Sequence, residues 1–268
     1  MVLRQFDDPV IVWQSAISEL LSLTEGLTPQ QWLLPTPCPG WTVADVVSHI
    51  SDLDGYFLGD ERPAHEPMWA DLPHVTTPAA QFTEVGVDYR RGRSGVELIT
   101  ELKDITARRA DQLSGADMSE TVEWFFGQRT IDQLMRIRTF DIWLHEQDIR
   151  DAIGQPGGED SDAAHIAAAR MLEVLPMLFV KGAGATGGQS LQLVLTGPGV
   201  TGTWGIGVDD DGRAHFADVV DPEVTVTMSW PLFARRCAGR ISASEAHAHV
   251  VGDQDLGQRF LDALAFTP

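Results

Sequence analysis

A segment rich in glycine and acidic residues, GQPGGEDSD at residues 154–162, divides the sequence into two parts with different patterns. Before it, apolar residues recur at helical spacing in long segments that end at glycine. After it, short β-like runs such as SLQLVLTG and EVTVTMSW alternate with turns. We therefore predict an α+β protein of two domains: a helical bundle at residues 1–155, a linker at 154–162, and a small α+β domain at 163–268.

The first part contains four long amphipathic segments, at residues 7–26, 41–57, 94–115 and 130–153. Three of them begin with a capping pattern, a serine or threonine followed three residues later by Asp, Glu or Gln. Four amphipathic helices joined in this way indicate a four-helix bundle. Residues 60–93 are rich in proline, glycine and charge, which predicts a long loop or lid.

The composition limits the partners and the compartment that we expect. The chain has 268 residues and a net charge of −20, which argues against nucleic-acid binding because a phosphate backbone needs clustered Lys and Arg. No apolar run of membrane-spanning length and no secretory signal is seen, so we expect no membrane association. Two cysteines far apart, Cys38 and Cys237, suit a reducing cytoplasm.

The fourth helical segment carries charged residues on the face that it is expected to bury. Arg138, Asp141 and His145 lie at helical spacing in the same stripe as Ile142 and Ile149. Buried charges are costly unless they are paired or bind a metal. One interpretation is therefore an intrahelical network of the three polar side chains.

The other interpretation is a metal site. Asp141 and His145 lie one turn apart, and His49 lies on the apolar face of the second long helix, so three ligands from facing helices would meet. Three protein ligands leave a coordination position for water or substrate.

Other candidates have simpler interpretations. His65 and His74 in the long loop are expected to be solvated, and Cys38 between two prolines is expected to be structural because no partner base is evident. The basic residues of the second domain either hold a substrate carboxylate or form a solvated helix face; they are Arg235, Arg236 and Arg240.

Two stretches carry a resemblance to a known family: PTPCPGWTVADVVSHISDLDGYF and TFDIWLHEQDIRDAIGQP. They resemble the mycothiol-dependent maleylpyruvate isomerase family, and the tail VVGDQDLGQRFLDALAFTP is similar to the end of that family's second domain. The resemblance implies a DinB-like metal-binding four-helix bundle followed by a sterol-carrier-like α+β domain. It also implies a divalent metal, usually zinc, at His49, Asp141 and His145. The family pattern has Glu where this chain has Asp141.

The resemblance further implies thiol chemistry. Mycothiol, the thiol cosubstrate, adds to a small electrophile, either for cis–trans isomerisation or for transfer of the sulfur, and Arg240 is a candidate for holding a substrate carboxylate. A monomer or homodimer is expected. A non-catalytic module that binds a metal or a small molecule on the same fold is the alternative, and a metal-free network around Arg138 is the third hypothesis.

Overall fold

The computed structural model describes residues 3–124 and 127–267. The chain divides into two compact units. One, here called the helical unit, is Phe6–Gly157; the other, the sheet unit, comprises residues 158–267 together with residues 3–5. Helices dominate the first and a sheet is the centre of the second, which confirms the predicted α+β class.

Among the described residues of the helical unit, four helices are long and two are shorter. The long ones are the four that the sequence predicts, here α1, α3, α5 and α6. In chain order the helices are α1 (Pro9–Thr24), α2 (Pro29–Trp32), α3 (Val43–Leu58), α4 (Pro78–Arg90), α5 (Gly95–Leu113) and α6 (Ile131–Ile153). Capping boxes at Thr42, Ser94 and Thr130 start α3, α5 and α6. Gly59 and Gly154, both in the left-handed conformation, follow α3 and α6.

The core of the helical unit lies around α3. This helix packs against α4, α5 and α6, and α1 packs against α5 and α6. The buried apolar side chains include Trp13, Val47, Ile50, Leu102 and Ile142. Burying α3 on several sides also buries the polar residues on it, which is why a histidine of this helix lies inside the unit.

The prediction of a loop over residues 60–93 is wrong for the second half of that range. Helix α4 begins at Pro78 after Thr77, whose side chain accepts a hydrogen bond from the backbone N–H of Ala80. Its buried face contains Glu84 and Arg90, so the apolar periodicity that marks a helix is missing. Gly86 lets α4 approach α3 closely, because a Cβ there would lie 1.9 Å from the carboxyl carbon of Asp52.

A short antiparallel hairpin between α5 and α6 was not predicted from the sequence. Its strands are β1 (Thr121–Trp124) and β2 (Gly127–Thr130), and every residue of the two strands is exposed or half-buried. Strands of four residues with so little burial leave no clear apolar alternation in the sequence.

The sheet unit contains a five-stranded sheet in the order β5-β4-β3-β6-β7. Strands β3 and β6 are parallel and the other neighbours are antiparallel. The helices and strands of this unit are α7 (Asp162–Glu173), α8 (Leu175–Met177), β3 (Ser190–Thr196), β4 (Gly202–Val208), β5 (Ala214–Phe216), β6 (Val224–Ser229), α9 (Trp230–Cys237), β7 (His249–Gly252) and α10 (Gln254–Ala263). The four predicted β-like runs form β3 to β6, whereas the short, largely exposed β7 was not predicted.

One stretch of the sheet unit qualifies as a membrane span by length and composition alone. It covers Asp162–Gly182, and 61% of its apolar window is buried inside the fold. The core helix of a folded domain shows the same combination, so the stretch is weak evidence for a span.

Candidate metal centre

Helices α3 and α6 bring the three predicted ligands together. His49 lies on the buried face of α3 beside Val46 and Ile50, and Asp141 and His145 lie one turn apart on α6. His49, Asp141 and His145 each offer one ligand atom, and these atoms lie within 4.8 Å of one another. The packing of α3 against α6 therefore creates the convergence that a shared cation needs.

The Asp141 carboxylate lies between the two imidazoles. Its Oδ2 is 3.3 Å from His49 Nε2, and its Oδ1 is 3.7 Å from His145 Nε2. The histidine side chains are buried, whereas the Asp141 side chain is 29% exposed. The cluster is thus enclosed on the histidine side and reaches solvent at the carboxylate.

The electrostatics of the cluster favour the ionisation states that a metal requires. Burial lowers the pKa of His49, and this effect outweighs the attraction of Asp141, which acts in the opposite direction. Burial acts to raise the pKa of Asp141, but the contact with His49 and the charge of Arg138 outweigh it and hold that pKa below its usual value. A neutral imidazole beside an ionised carboxylate is a suitable pair of ligands for a divalent cation.

Arg138 holds the same carboxylate from the other side. Its guanidinium donates to Asp141 Oδ2 and to Asp54 Oδ2, the latter at 3.2 Å. Arg138 and Asp54 have side-chain exposures of 1% and 0%. The intrahelical network that the sequence suggested as the alternative to a metal is therefore present in part, and it leaves Asp141 Oδ1 facing His145.

A loop before α3 covers the two histidines with an aromatic ring. The Trp41 ring lies 4.9 Å from the ring centre of His49 and 5.6 Å from that of His145. Its indole Nε1 donates to Glu84, a buried residue of α4, at 2.9 Å. Gly40, with φ of +78°, makes the turn that places this tryptophan.

Asp148 contacts the second nitrogen of a candidate ligand. His145 Nδ1 is 3.1 Å from Asp148 Oδ2, and the Asp148 side chain is 3% exposed. Metal-binding histidines usually have such an outer carboxylate, which fixes the tautomer and the ring orientation.

We expect Asp148→Asn to weaken zinc binding by about 10–100-fold, because an amide is a poorer acceptor for an imidazole N–H than a carboxylate. Zinc competition against a chromophoric chelator measures this in a Cys38→Ser background, so that the nearby thiol cannot act as a ligand together with Asp148. Asp151→Asn, three residues further along the same helix, is the matched control and should leave the affinity unchanged. Equal affinity of the Asp148→Asn variant and the wild type would contradict the assigned role.

The donor set fits a divalent metal. A tetrahedral zinc ion places its nitrogen and oxygen ligands about 3.3–3.6 Å from one another. His49 Nε2 lies 3.3 Å from Asp141 Oδ2, and His145 Nε2 lies 3.7 Å from the other carboxylate oxygen, Oδ1. The other ring nitrogen of His49, the buried Nδ1, has no hydrogen-bond partner among the described residues, so Nε2 is the nitrogen that the cluster offers to a cation.

Among the other sequence candidates, Cys38 lies near His145 and Asp148, whereas the histidines of the predicted loop and the arginines of the second domain do not belong to the ligand cluster. His65 Nε2 is 2.7 Å from Asp88 and His74 Nε2 is 3.2 Å from Glu84, so both are paired rather than simply solvated. In the sheet unit, Arg236 is buried and donates to three backbone carbonyls, which is a structural role. Arg240 follows α9 and donates to the carbonyl of Ala238; its contact with a substrate carboxylate stays a prediction.

Sequence reasoning missed several residues around the cluster. Asp148 is not among the predicted site residues, although its i+3 spacing from His145 is a usable signal. Asp54 occupies a helical position whose burial only becomes evident once α3 is packed on several sides. Trp41 and Glu84 are 43 positions apart, and no local pattern joins them.

Solved structures show which fold this is. A crystal structure of a histidine-to-alanine mutant of the mycothiol-dependent maleylpyruvate isomerase matches with a TM-score of 0.55 and 14% identity, over 90% of this chain and 91% of that one. A second crystal structure of the mycothiol-dependent maleylpyruvate isomerase matches with a TM-score of 0.52 and 14% identity, over 87% and 88% of the two chains. The chain thus has the helical-plus-sheet fold of these proteins.

Residues 13–150, about half of the chain, match the family model of the mycothiol maleylpyruvate isomerase N-terminal domain. The chain belongs to this family, as the two quoted sequence stretches indicated. Two uncharacterized proteins of Mycobacterium tuberculosis, MT0041 of strain CDC 1551 and Rv0036c of strain H37Rv, are each 27% identical over 139 residues. These matches span 51% of this chain and 52% of each relative, so the chain spans about half of their length.

Proposed function

We propose that this chain is a metal-dependent thiol enzyme of the maleylpyruvate isomerase type. A divalent metal, zinc by preference, is held by His49, Asp141 and His145, and a low-molecular-weight thiol, mycothiol, is the cosubstrate. The reaction is addition of the thiol to a small electrophile, leading either to cis–trans isomerisation or to transfer of the sulfur.

The observation that carries this proposal is the convergence of the three donor groups from α3 and α6 within 4.8 Å. Two imidazoles and one carboxylate are a set that zinc commonly takes in catalytic sites, where a further position stays open. The partly exposed Asp141 side gives solvent access to that position. Family membership supports the choice of a thiol as the group that enters there.

When bound, a divalent metal at these ligands lowers the pKa of a coordinated thiol, so that the nucleophilic thiolate is present at neutral pH. The chain's own residues do the positioning. Arg138 restrains the Asp141 carboxylate, and Asp148 sets which nitrogen of His145 carries the proton. Trp41 covers the two imidazoles and excludes water from that side.

The substrate class is a small electrophile, such as a molecule with a double bond conjugated to a carbonyl. Two outcomes differ only in what happens after the sulfur adds. In isomerisation the double bond becomes single, the adduct rotates, and the thiol is eliminated again; in transfer the thioether is kept. Arg240 is proposed as the cation that holds a substrate carboxylate. The proposed compartment is the cytoplasm, and the protein is proposed to be a monomer or a homodimer.

Elemental analysis combined with a turnover assay tests the proposal. We expect the purified wild type to contain about one equivalent of zinc, because one such site binds one ion. We also expect it to consume a generic electrophile in the presence of mycothiol. Asp141→Ala should abolish this turnover. Metal and thiol affinity without turnover would favour the non-catalytic module. A metal-free protein with unchanged behaviour in the Asp141→Ala variant would reject the proposed site.

A further inference from the structure

The His145 ring lies between two carboxylates. Its Nδ1 is 3.1 Å from Asp148 Oδ2, and its Nε2 is 3.7 Å from Asp141 Oδ1. A neutral imidazole carries one proton, so only one ring nitrogen can donate, and the lone pair of the other faces a carboxylate oxygen. The lone pair and the carboxylate oxygen repel each other, and a cation placed between them attracts both. Depending on the tautomer, this holds for either side of the ring.

A cysteine completes the ligand set on the Asp148 side. Cys38, His145 and Asp148 each offer a ligand atom, and these atoms lie within 4.8 Å of one another. Asp148 and His145 are buried, and Cys38 is half-buried. The sulfur of cysteine, the nitrogen of histidine and the oxygen of aspartate are each donor atoms that zinc binds in proteins.

The loop before α3 holds the cysteine in place. Cys38 lies between Pro37 and Pro39, its backbone N–H donates to Thr36 Oγ1 at 3.2 Å, and its carbonyl accepts from the Trp41 N–H at 3.1 Å. This is the loop that also positions the Trp41 ring over His145. The backbone of Cys38 is thus held by the same loop that places Trp41 over the His49–Asp141–His145 cluster.

We propose that Cys38, His145 and Asp148 form a second cation position, which shares His145 with the first and takes a thiophilic divalent cation such as Zn²⁺ or Cd²⁺. The thiol loses its proton to solvent as the sulfur binds the cation. His145 coordinates through one nitrogen while the other keeps its proton, so the two positions are alternatives for one ion. The softer sulfur donor makes the second position selective for thiophilic ions.

Cobalt substitution in a His49→Ala variant tests the second position without the first. We expect Co²⁺ alone to give a sulfur-to-cobalt charge-transfer absorption in this variant. The band should be lost in His49→Ala with Cys38→Ser, and kept in the matched control His49→Ala with Cys237→Ala, which alters the other cysteine of the chain. Bound cobalt without this band, or no bound cobalt, overturns the second position.

Alkylation of the wild type provides a measurement that does not depend on the folding of any variant. We expect Cd²⁺ to slow the alkylation of Cys38 by more than about tenfold, because a coordinated thiolate is not available to the reagent. Unchanged alkylation at saturating Cd²⁺ contradicts the proposal. Both results concern the second position only. The zinc affinity of a Cys38→Ser protein measures the first position, formed by His49, Asp141 and His145, separately.

Discussion

His49→Ala is expected to lower the zinc affinity of the His49–Asp141–His145 position by more than about 100-fold. Losing a residue that only contacts a ligand costs up to about 100-fold in affinity, and losing a ligand itself should cost more. His49 is the one ligand that α3 contributes, so its removal leaves Asp141 and His145 on a single helix. Two ligands one turn apart cannot enclose an ion as three from facing helices do. The comparison is between Cys38→Ser and Cys38→Ser with His49→Ala, because the Cys38→Ser change removes the second cation position from the measurement.

The measurement is zinc competition against a chromophoric chelator, with Cys38→Ser as the reference. Cys38→Ser with His65→Ala is the matched control, because His65 also pairs with a carboxylate, Asp88, but does not belong to the cluster. The control should retain the reference affinity. If the His49→Ala protein retains it as well, the assignment of His49 as a ligand is wrong. Circular dichroism of each variant checks that the helices persist.

The sequence predicted those parts of the fold that bury one apolar face. Helices α1, α3, α5 and α6 each carry an apolar stripe or a capping box, and the residues of β3 and β6 alternate between buried and half-buried. Helix α4 has Glu84 and Arg90 on its buried face instead, where Arg90 pairs with Asp52 and Glu101. A helix that is held by ion pairs gives no periodic apolar signal, so composition alone suggested a loop.

The candidate site was predictable to the extent that its ligands share a helix or lie on apolar faces. Asp141 and His145 are one turn apart, and His49 stands in an apolar stripe. What the residues around them do depends on contacts between distant segments. Arg138 reaches Asp54, 84 positions away, and Cys38 meets His145 only through the shape of a loop. Tertiary packing decides such contacts, and no local spacing encodes them.

Arg138→Met is expected to lower the free energy of unfolding by about 3–5 kcal/mol, because breaking a buried ion pair leaves an uncompensated buried charge. That charge is Asp54, whose side chain is fully buried and whose Oδ1 has no hydrogen-bond partner among the described residues. The nearby charge of Arg109 offsets part of the loss. Arg136→Met is the matched control on the same helix. Arg136 pairs with Asp132 at 3.0 Å, with both side chains about a third exposed, and such pairs contribute only about 0–1 kcal/mol.

Urea unfolding in the presence of a chelator measures both variants without a contribution from bound metal. A double variant, Arg138→Met with Asp54→Asn, separates the ion pair from the packing of the arginine stem. Because the second change removes the charge that the first leaves unpaired, the double variant should be more stable than the sum of the two single effects, by about 0.5–3 kcal/mol. Strict additivity of the two single effects would show that the ion pair between Arg138 and Asp54 adds nothing to stability. Arg138 would then stabilise the bundle through the packing of its stem, and its charge would act only on Asp141.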